Sequence, residues 1–332
     1  MLLAGDIGGT HTRLGLFTAS ASRPAPLDVR TYTTGGFPSL ESMLARFLAD
    51  AGSERSAISA AAFGVAGPVV HGRAALTNAA WQIDGNRVAA AIGLPFVLLL
   101  NDLLAMAHTI PVLGPGELHT LQAGEADPAG NVSLIAPGTG LGEAMLVRSG
   151  GRLVPSPSEG GHADFAPRTT REVGLLAFLT AQYGRAGYER VISGPGLVNI
   201  HRFVHRTPCT CADPGAADAA AQISAAALGG HCPACVEALD LFVAVLGAEC
   251  GNSALRGLAT GGVYLGGGIP PKILPALARP TFIEAFRAKA PMEHLVAGIP
   301  VHVILYPDPG LLGAAVAAAG FAAAPSDTLT LT

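Results

Sequence analysis

Near the start of the chain, Gly5-Asp6-Ile7-Gly8-Gly9-Thr10 sets a carboxylate beside a glycine-rich turn. Glycines in such a turn let successive backbone N–H groups face an anion, because they tolerate positive φ and close approach. An acid next to a phosphate is repulsive unless a cation lies between them, so Asp6 implies Mg²⁺, held directly or through water. One such turn is equally well a plain tight hairpin. The pattern returns at Pro137-Gly138-Thr139-Gly140-Leu141-Gly142 and again at Gly266-Gly267-Gly268, and three related turns favour phosphate binding. The middle one superficially matches the dinucleotide pattern G-x-G-x-x-G. Glu143 stands where the third glycine belongs, and a carboxylate there opposes both helix packing and a pyrophosphate.

Asn101-Asp102 follows the apolar run Phe96-Val97-Leu98-Leu99-Leu100. At a strand end an Asp can take the proton of an alcohol while Asn orients a neighbouring hydroxyl. The same pair also makes a good helix N-cap, and both roles can coexist. Glu159-Gly160-Gly161-His162 sets a carboxylate and an imidazole three apart around a Gly-Gly bend, as a neutral polyol requires. A metal is the rival reading, but a glycine-broken loop lacks the helix that usually holds Glu-x-x-His in register. Glu189, ahead of Ser193-Gly194-Pro195-Gly196, reads by itself as a solvated helix residue.

The elements that position these groups alternate between strand and helix. Leu2–Ala4 and Arg13–Phe17 flank the first turn as a hairpin, and Leu40, Met43, Leu44, Phe47 and Leu48 recur at helical spacing. Ala60–Val65, Phe96–Leu100, Asn131–Ala136, Val263–Leu265 and Val301–Leu305 read as strands, and residues 171–183 and 195–204 as helices. Alternation of this kind means an α/β protein. No sequence repeat is strong enough to state, although a hairpin with a phosphate-type turn opens each half.

Composition narrows the function classes. The 332 residues suffice for two lobes, and 50% hydrophobic residues prompt a search for a membrane span. The longest apolar run, Leu311–Ala323, is short and rich in Ala and Gly, and so reads as a packed helix. The stretch from Met1 to Gly5 has no basic start and no apolar run long enough for export, so no signal peptide is expected. A net charge of −4 without a basic cluster argues against nucleic acid. Lysine occurs only at Lys272 and Lys289, so no G-K-[ST] motif exists and a phosphate site must rest on backbone amides and metal. Five cysteines without an export signal indicate reduced thiols in a cytoplasm. Cys209-Thr-Cys211 and Cys232-Pro-Ala-Cys235 resemble the paired thiols of a structural zinc site, but their spacers do not suit zinc knuckles, and ordinary cysteines are the favoured reading.

The ordered blocks Gly5–Thr10, Leu76–Trp81, Asn101-Asp102, Gly138–Gly142, Glu159–Pro167, Glu189–Asn199, Gly262–Ile269 and Pro309–Gly313 make the chain closely resemble the bacterial glucokinases, within the actin/hexokinase/Hsp70 superfamily. The resemblance implies a two-lobed actin-like (ribonuclease H-like) α/β fold, with a small lobe from 1–109 plus 303–332 and a large lobe from 110–302, closing on D-glucose and ATP. It implies Asp102 as general base for the sugar's 6-hydroxyl. Asn78, Asn101, Glu159, His162 and Glu189 would contact the sugar. The resemblance places the phosphates at Gly5, Asp6, Ile7, Gly8, Gly9, Thr10, Gly138 and Thr139, and adenosine on Gly266, Gly267 and Gly268. Relatives usually carry Asn where this chain has His11. They are commonly homodimers and commonly lack zinc. A fructokinase or mannokinase is the alternative within the superfamily. A sugar-sensing transcriptional regulator is a rival outside enzymes, but such proteins add a DNA-binding module ahead of the first loop, and a loop beginning at Gly5 predicts none.

Overall fold

The computed structural model describes residues 1–20, 22–52, 57–76, 81–205 and 209–322. It divides into two compact units, Met1–Gly114 with Tyr306–Thr332, and Pro115–Leu305. Both are α/β, as the alternation of elements predicts.

The first unit is built on β1 (Leu2–Ile7), β2 (His11–Phe17), β3 (Pro26–Thr33), α1 (Leu40–Asp50), β4 (Ala60–Val65), β5 (Val69–Val70), β6 (Arg73–Ala75), β7 (Gln82–Asp84), α2 (Gly85–Ile92), β8 (Leu98–Asn101) and α3 (Asp102–Thr109), with a last helix, α11 (Pro309–Ala322). Its main sheet runs β3-β2-β1-β4-β8, and β5-β6-β7 form a small separate sheet. Both faces of the main sheet are covered, so β1 and β4 read as continuous apolar runs. Alternation nevertheless sorts their side chains: Leu3, Ile7, Ala61, Phe63 and Val65 join α1 and α2 in one core cluster, while Leu2, Ala4, Ala60 and Ala62 face α11 in another. Small residues let α11 approach closely, and Gly313 lies against the Ala105 carbonyl of α3 with no room for a Cβ. The Ser39 side chain accepts from Ser42 N and starts α1, whose buried positions are those of the helical spacing.

The second unit contains β9 (Leu118–Gln122), β10 (Val132–Pro137), β11 (Leu141–Ser149), β12 (Arg152–Ser158), α4 (Thr170–Tyr183), α5 (Gly194–Val204), α6 (Ala219–Leu228), α7 (Pro233–Gly257), β13 (Gly262–Leu265), α8 (Leu274–Leu277), α9 (Pro280–Arg287), α10 (Glu293–Gly298) and β14 (Val301–Ile304). Its sheet runs β12-β11-β10-β13-β14-β9. The long helix α7 is central to its core, with Leu239, Phe242, Val243, Leu246 and Cys250 all buried. Phe282 and Phe286 of α9 stack in parallel against the same core, 6.5 Å between centroids.

Candidate active site

In the first unit β1, β4 and β8 are parallel, and Ile7, Val65 and Asn101 fall in one row at their carboxyl ends. With strands about 4.8 Å apart, the turn after β1 and the residues after β8 share one edge of the sheet, the edge where α/β folds place ligands. Gly8 N donates to His11 O at 3.0 Å, and a Cβ on Gly8 would sit 2.8 Å from that oxygen, so the turn requires glycine. Thr34 braces the turn, its hydroxyl donating to Gly8 O at 2.8 Å and its N–H to Thr10 O at 2.9 Å.

Asn101 is the N-cap of α3, its Oδ1 accepting from Leu103 N at 2.9 Å and Leu104 N at 3.1 Å. Its amide Nδ2 donates to Asp102 Oδ1 at 3.0 Å. The cap is thus formed at the carboxyl end of β8, the place where a ligand-facing role for the dipeptide would put it. Burial pushes the Asp102 carboxyl above its ordinary range, against the lowering effect of hydrogen bonds from the backbone. Asp6 is raised to about 6, first by burial and then by repulsion from Asp102 and Asp308, with Arg13 opposing. Arg13 Nη1 lies 3.0 Å from Asp308 Oδ1 and 3.9 Å from Asp6 Oδ2. Gly310, in the first turn of α11, places the positive end of that helix against the Asp6 carboxylate, where a Cβ would lie 3.2 Å from Cγ. Asp6 and Asp308 flank one guanidinium and Asp102 adds its charge near Asp6, an oxygen donor set with excess negative charge, which suits Mg²⁺.

In the second unit the turn at Gly138–Gly140 joins β10 to β11, with Gly138 N donating to Gly140 O at 2.8 Å. The triglycine after β13 packs beside it: Gly266 N donates to Ile135 O at 2.9 Å and Ile269 N to Pro137 O at 3.3 Å. Gly267 has φ +80°, and a Cβ there would meet the Pro137 carbonyl at 2.6 Å. Glu189 is not a solvated helix residue. Its Oε2 accepts from Leu141 N at 3.1 Å, directly after the turn. Glu159 and His162 flank a short 3₁₀ turn, with Glu159 Oε2 3.9 Å from His162 Nε2 and the two side chains 86% and 60% exposed, open to a ligand. Tyr188 N donates to Ala163 O at 2.9 Å and so ties that loop to the one carrying Glu189. Asn78 lies outside the described residues.

Some members of these constellations do not stand out in the sequence. Arg13 is the cross-strand partner of Asp6, a pairing that the length of the first turn would have indicated. Asp308 is visible in sequence only as part of a turn. Glu143, which breaks the dinucleotide pattern, is buried near Glu249 of α7. Burial first and Glu249 second raise it to about 7, while Arg256, 3.6 Å away, pulls it down. Arg256 also pairs with Glu249, and Asn252 Nδ2 donates at 3.0 Å to both Glu249 Oε2 and Tyr188 Oη, so the network supports the loop bearing Glu189. A lone acid in an apolar strand is the only sequence signal for it.

A model of the Glucokinase family matches residues 3–320. The glucokinase of Nostoc sp. (strain PCC 7120) is 41% identical, over 96% of this chain and 99% of its own. That of Synechocystis sp. (strain PCC 6803) is 39% identical, over 96% and 97%. The crystal structure of a glucokinase from an Antarctic psychrotroph is 30% identical and superposes with a TM-score of 0.86, over 96% of this chain and 98% of its own. Similarity carried along almost the full length of chain and relatives alike means that this actin-like α/β ATPase fold is that of the glucokinases, and the chain belongs to the glucokinase family.

Proposed function

We propose that the chain transfers the γ-phosphoryl group of ATP to the 6-hydroxyl of D-glucose, giving glucose 6-phosphate and ADP. Family membership supports the reaction, and the position of Asp102 carries the mechanism: a carboxylate at a strand end, held by Asn101 and by backbone N–H groups, with its proton affinity raised by burial. In this reading Asp102 accepts the 6-hydroxyl proton as that oxygen bonds to the γ-phosphorus, and the bond to the β,γ-bridging oxygen breaks. A base with raised pKa is better matched to an alcohol than an ordinary Asp. Asn78, Asn101, Glu159, His162 and Glu189 are assigned to the remaining sugar hydroxyls. The backbone of Gly5–Thr10 and Gly138-Thr139 is assigned to the phosphates and Gly266–Gly268 to adenosine. Asp6 and Asp308 would hold Mg²⁺ through water, and the ion would supply charge neutralisation at the phosphate oxygens. Alignment and electrostatics are most of what phosphoryl transfer asks of a protein.

A coupled ATP assay across a hexose panel tests the assignment. Glucose is expected to give the highest kcat/KM; a higher value for fructose or mannose would make the chain a hexose kinase of the alternative kind. ADP and polyphosphate in place of ATP test the donor. The proposal extends to a homodimer, to be checked by sedimentation, and to a cytoplasmic, glycolytic role. None of the described helices is long and apolar enough to cross a membrane.

A further inference from the structure

The end of α5 away from the Gly138 turn holds a second cluster of chemical groups. His201 and His205 are four residues apart and so share one helix face, their rings tilted by 31° with centroids 3.9 Å apart. Cys209, on the segment after the helix, brings its Sγ to 3.8 Å from Sγ of Cys235, in the first turn of α7. One donor atom from each of the four residues lies within 4.8 Å of every other. Both ring nitrogens of His201, and Nδ1 of His205, are buried with no hydrogen-bond partner. Buried imidazole nitrogens are costly to leave unpaired, and three unpartnered ring nitrogens beside two thiols need an explanation.

We propose that His201, His205, Cys209 and Cys235 bind a structural zinc ion. Two sulfurs each about 2.3 Å from a tetrahedral zinc lie about 3.8 Å apart, the separation of this thiol pair. A disulfide would need about 2.05 Å. Thiolate and imidazole donors select zinc over Mg²⁺ or Ca²⁺, which prefer oxygen. His205 has its Nε2 3.4 Å from Cys232 Sγ, which leaves Nδ1 as its ligand atom, and the outer N–H contact would orient the ring as in other metal-bound histidines. Four protein ligands close the coordination, so the ion is structural and binds no substrate.

This set is not the four-cysteine arrangement that the sequence spacing suggests. Cys232 is the N-cap residue of α7, and Cys211 turns away to the His231 carbonyl, 3.8 Å from its Sγ. His201 of α5 and His205, which caps it, take the places of those thiols. A cavity of about 640 Å³ lined by His201, His205, Cys209 and Cys211 gives an ion a path in. The ion would tie the end of α5 to the start of α7.

The test uses the full chain purified under reducing conditions. Elemental analysis after dialysis against metal-free buffer is expected to find one zinc per chain. The cobalt(II) form should show tetrahedral d–d bands and a thiolate-to-cobalt charge-transfer band. Cys209→Ser with Cys235→Ser should lose the metal and that band, His201→Gln should weaken binding by at least tenfold, and Cys211→Ser should retain both. Chelation should lower Tm of the unsubstituted protein and of Cys211→Ser alike, a readout that stands even if the double variant fails to fold. Less than 0.1 zinc per chain with excess zinc present would overturn the proposal. So would a charge-transfer band that survives the double substitution, or a Cys209–Cys235 disulfide in freshly isolated protein. Kinase activity is not read, so the outcome is independent of the function proposed above.

Discussion

The turn after β1 and the turn after β10 close hairpins of the same plan. In each, the first strand pairs antiparallel with its successor and parallel with a later strand, β4 in one unit and β13 in the other. Each sheet then continues through a further parallel neighbour, so β3-β2-β1-β4-β8 and β12-β11-β10-β13-β14 have one order and one set of directions. The charges are distributed differently. The first turn has Asp6, Arg13, Asp102 and Asp308 around it, whereas the second meets the Gly266–Gly268 backbone, and its nearest acid, Glu189, is engaged with Leu141 N. The fold thus presents backbone amides twice, and the local sequence adds a metal-compatible acid cluster once. On the function proposed above, the first hairpin would belong with the reacting groups and the second with the passive holding of nucleotide.

That division fails first at Asp102 if it is wrong. Asp102→Asn is expected to lower kcat by about 10³-fold, within the usual range for a lost general base, while glucose affinity by calorimetry stays within a few-fold. Full turnover in that variant would remove Asp102 from the chemistry. Next, Asp6→Asn should cost on the order of 10² in kcat and raise the Mg²⁺ concentration for half-maximal rate, whereas Thr139→Val should act mainly on KM for ATP. Equal Mg²⁺ dependence in the two variants would erase the contrast between the turns. Gly267→Ala should destabilise the protein by about 2 kcal/mol in urea unfolding, because its φ is +80° and the Pro137 carbonyl is in the way. An unchanged unfolding midpoint would mean that the triglycine is not held against the turn.

The smallest effect concerns Glu143, whose carboxyl titrates at about 7 in the folded protein against 4.5 as a free side chain. A raised folded-state pKa favours folding at low pH, and that contribution is lost as pH rises through about 7. Stability should therefore fall by about 1 kcal/mol between pH 6 and pH 8 on this account. Glu143→Gln, a permanently neutral mimic, should flatten that part of the profile. A slope that persists in the variant would assign it to another group.

The sequence was legible where the signal was local. The first hairpin, the helix begun at Ser39 and the strand ending at Asn101 were announced by glycines, caps and apolar runs, and each can be read within a dozen residues. The shared strand order was not legible, because pairing between parallel strands leaves no mark on neighbouring residues, and the two hairpins need only backbone similarity. The partnership of Glu143 with Glu249 and Arg256 was hidden for the same reason, since α7 meets β11 only after folding. Glu189 looked like a surface residue because nothing nearby in the chain shows that Leu141 N needs an acceptor. His201 and His205 are a different case: their four-residue spacing is local, but the thiols that complete their cluster come from the segment after α5 and from α7, and meet the histidines only on folding.

The packing of α11 against β1 and β4 has a consequence for the growing polypeptide. One face of the first unit's sheet, with Leu2, Ala4, Ala60 and Ala62, acquires its cover of Leu311, Leu312, Ala314 and Ala315 only after the whole second unit has been synthesised. During translation that face must wait, exposed, while the intervening 191 residues emerge and can already form a sheet of their own. The unit that begins first is thus the one that finishes last. Its apolar face is the surface where a chaperone would have most to protect.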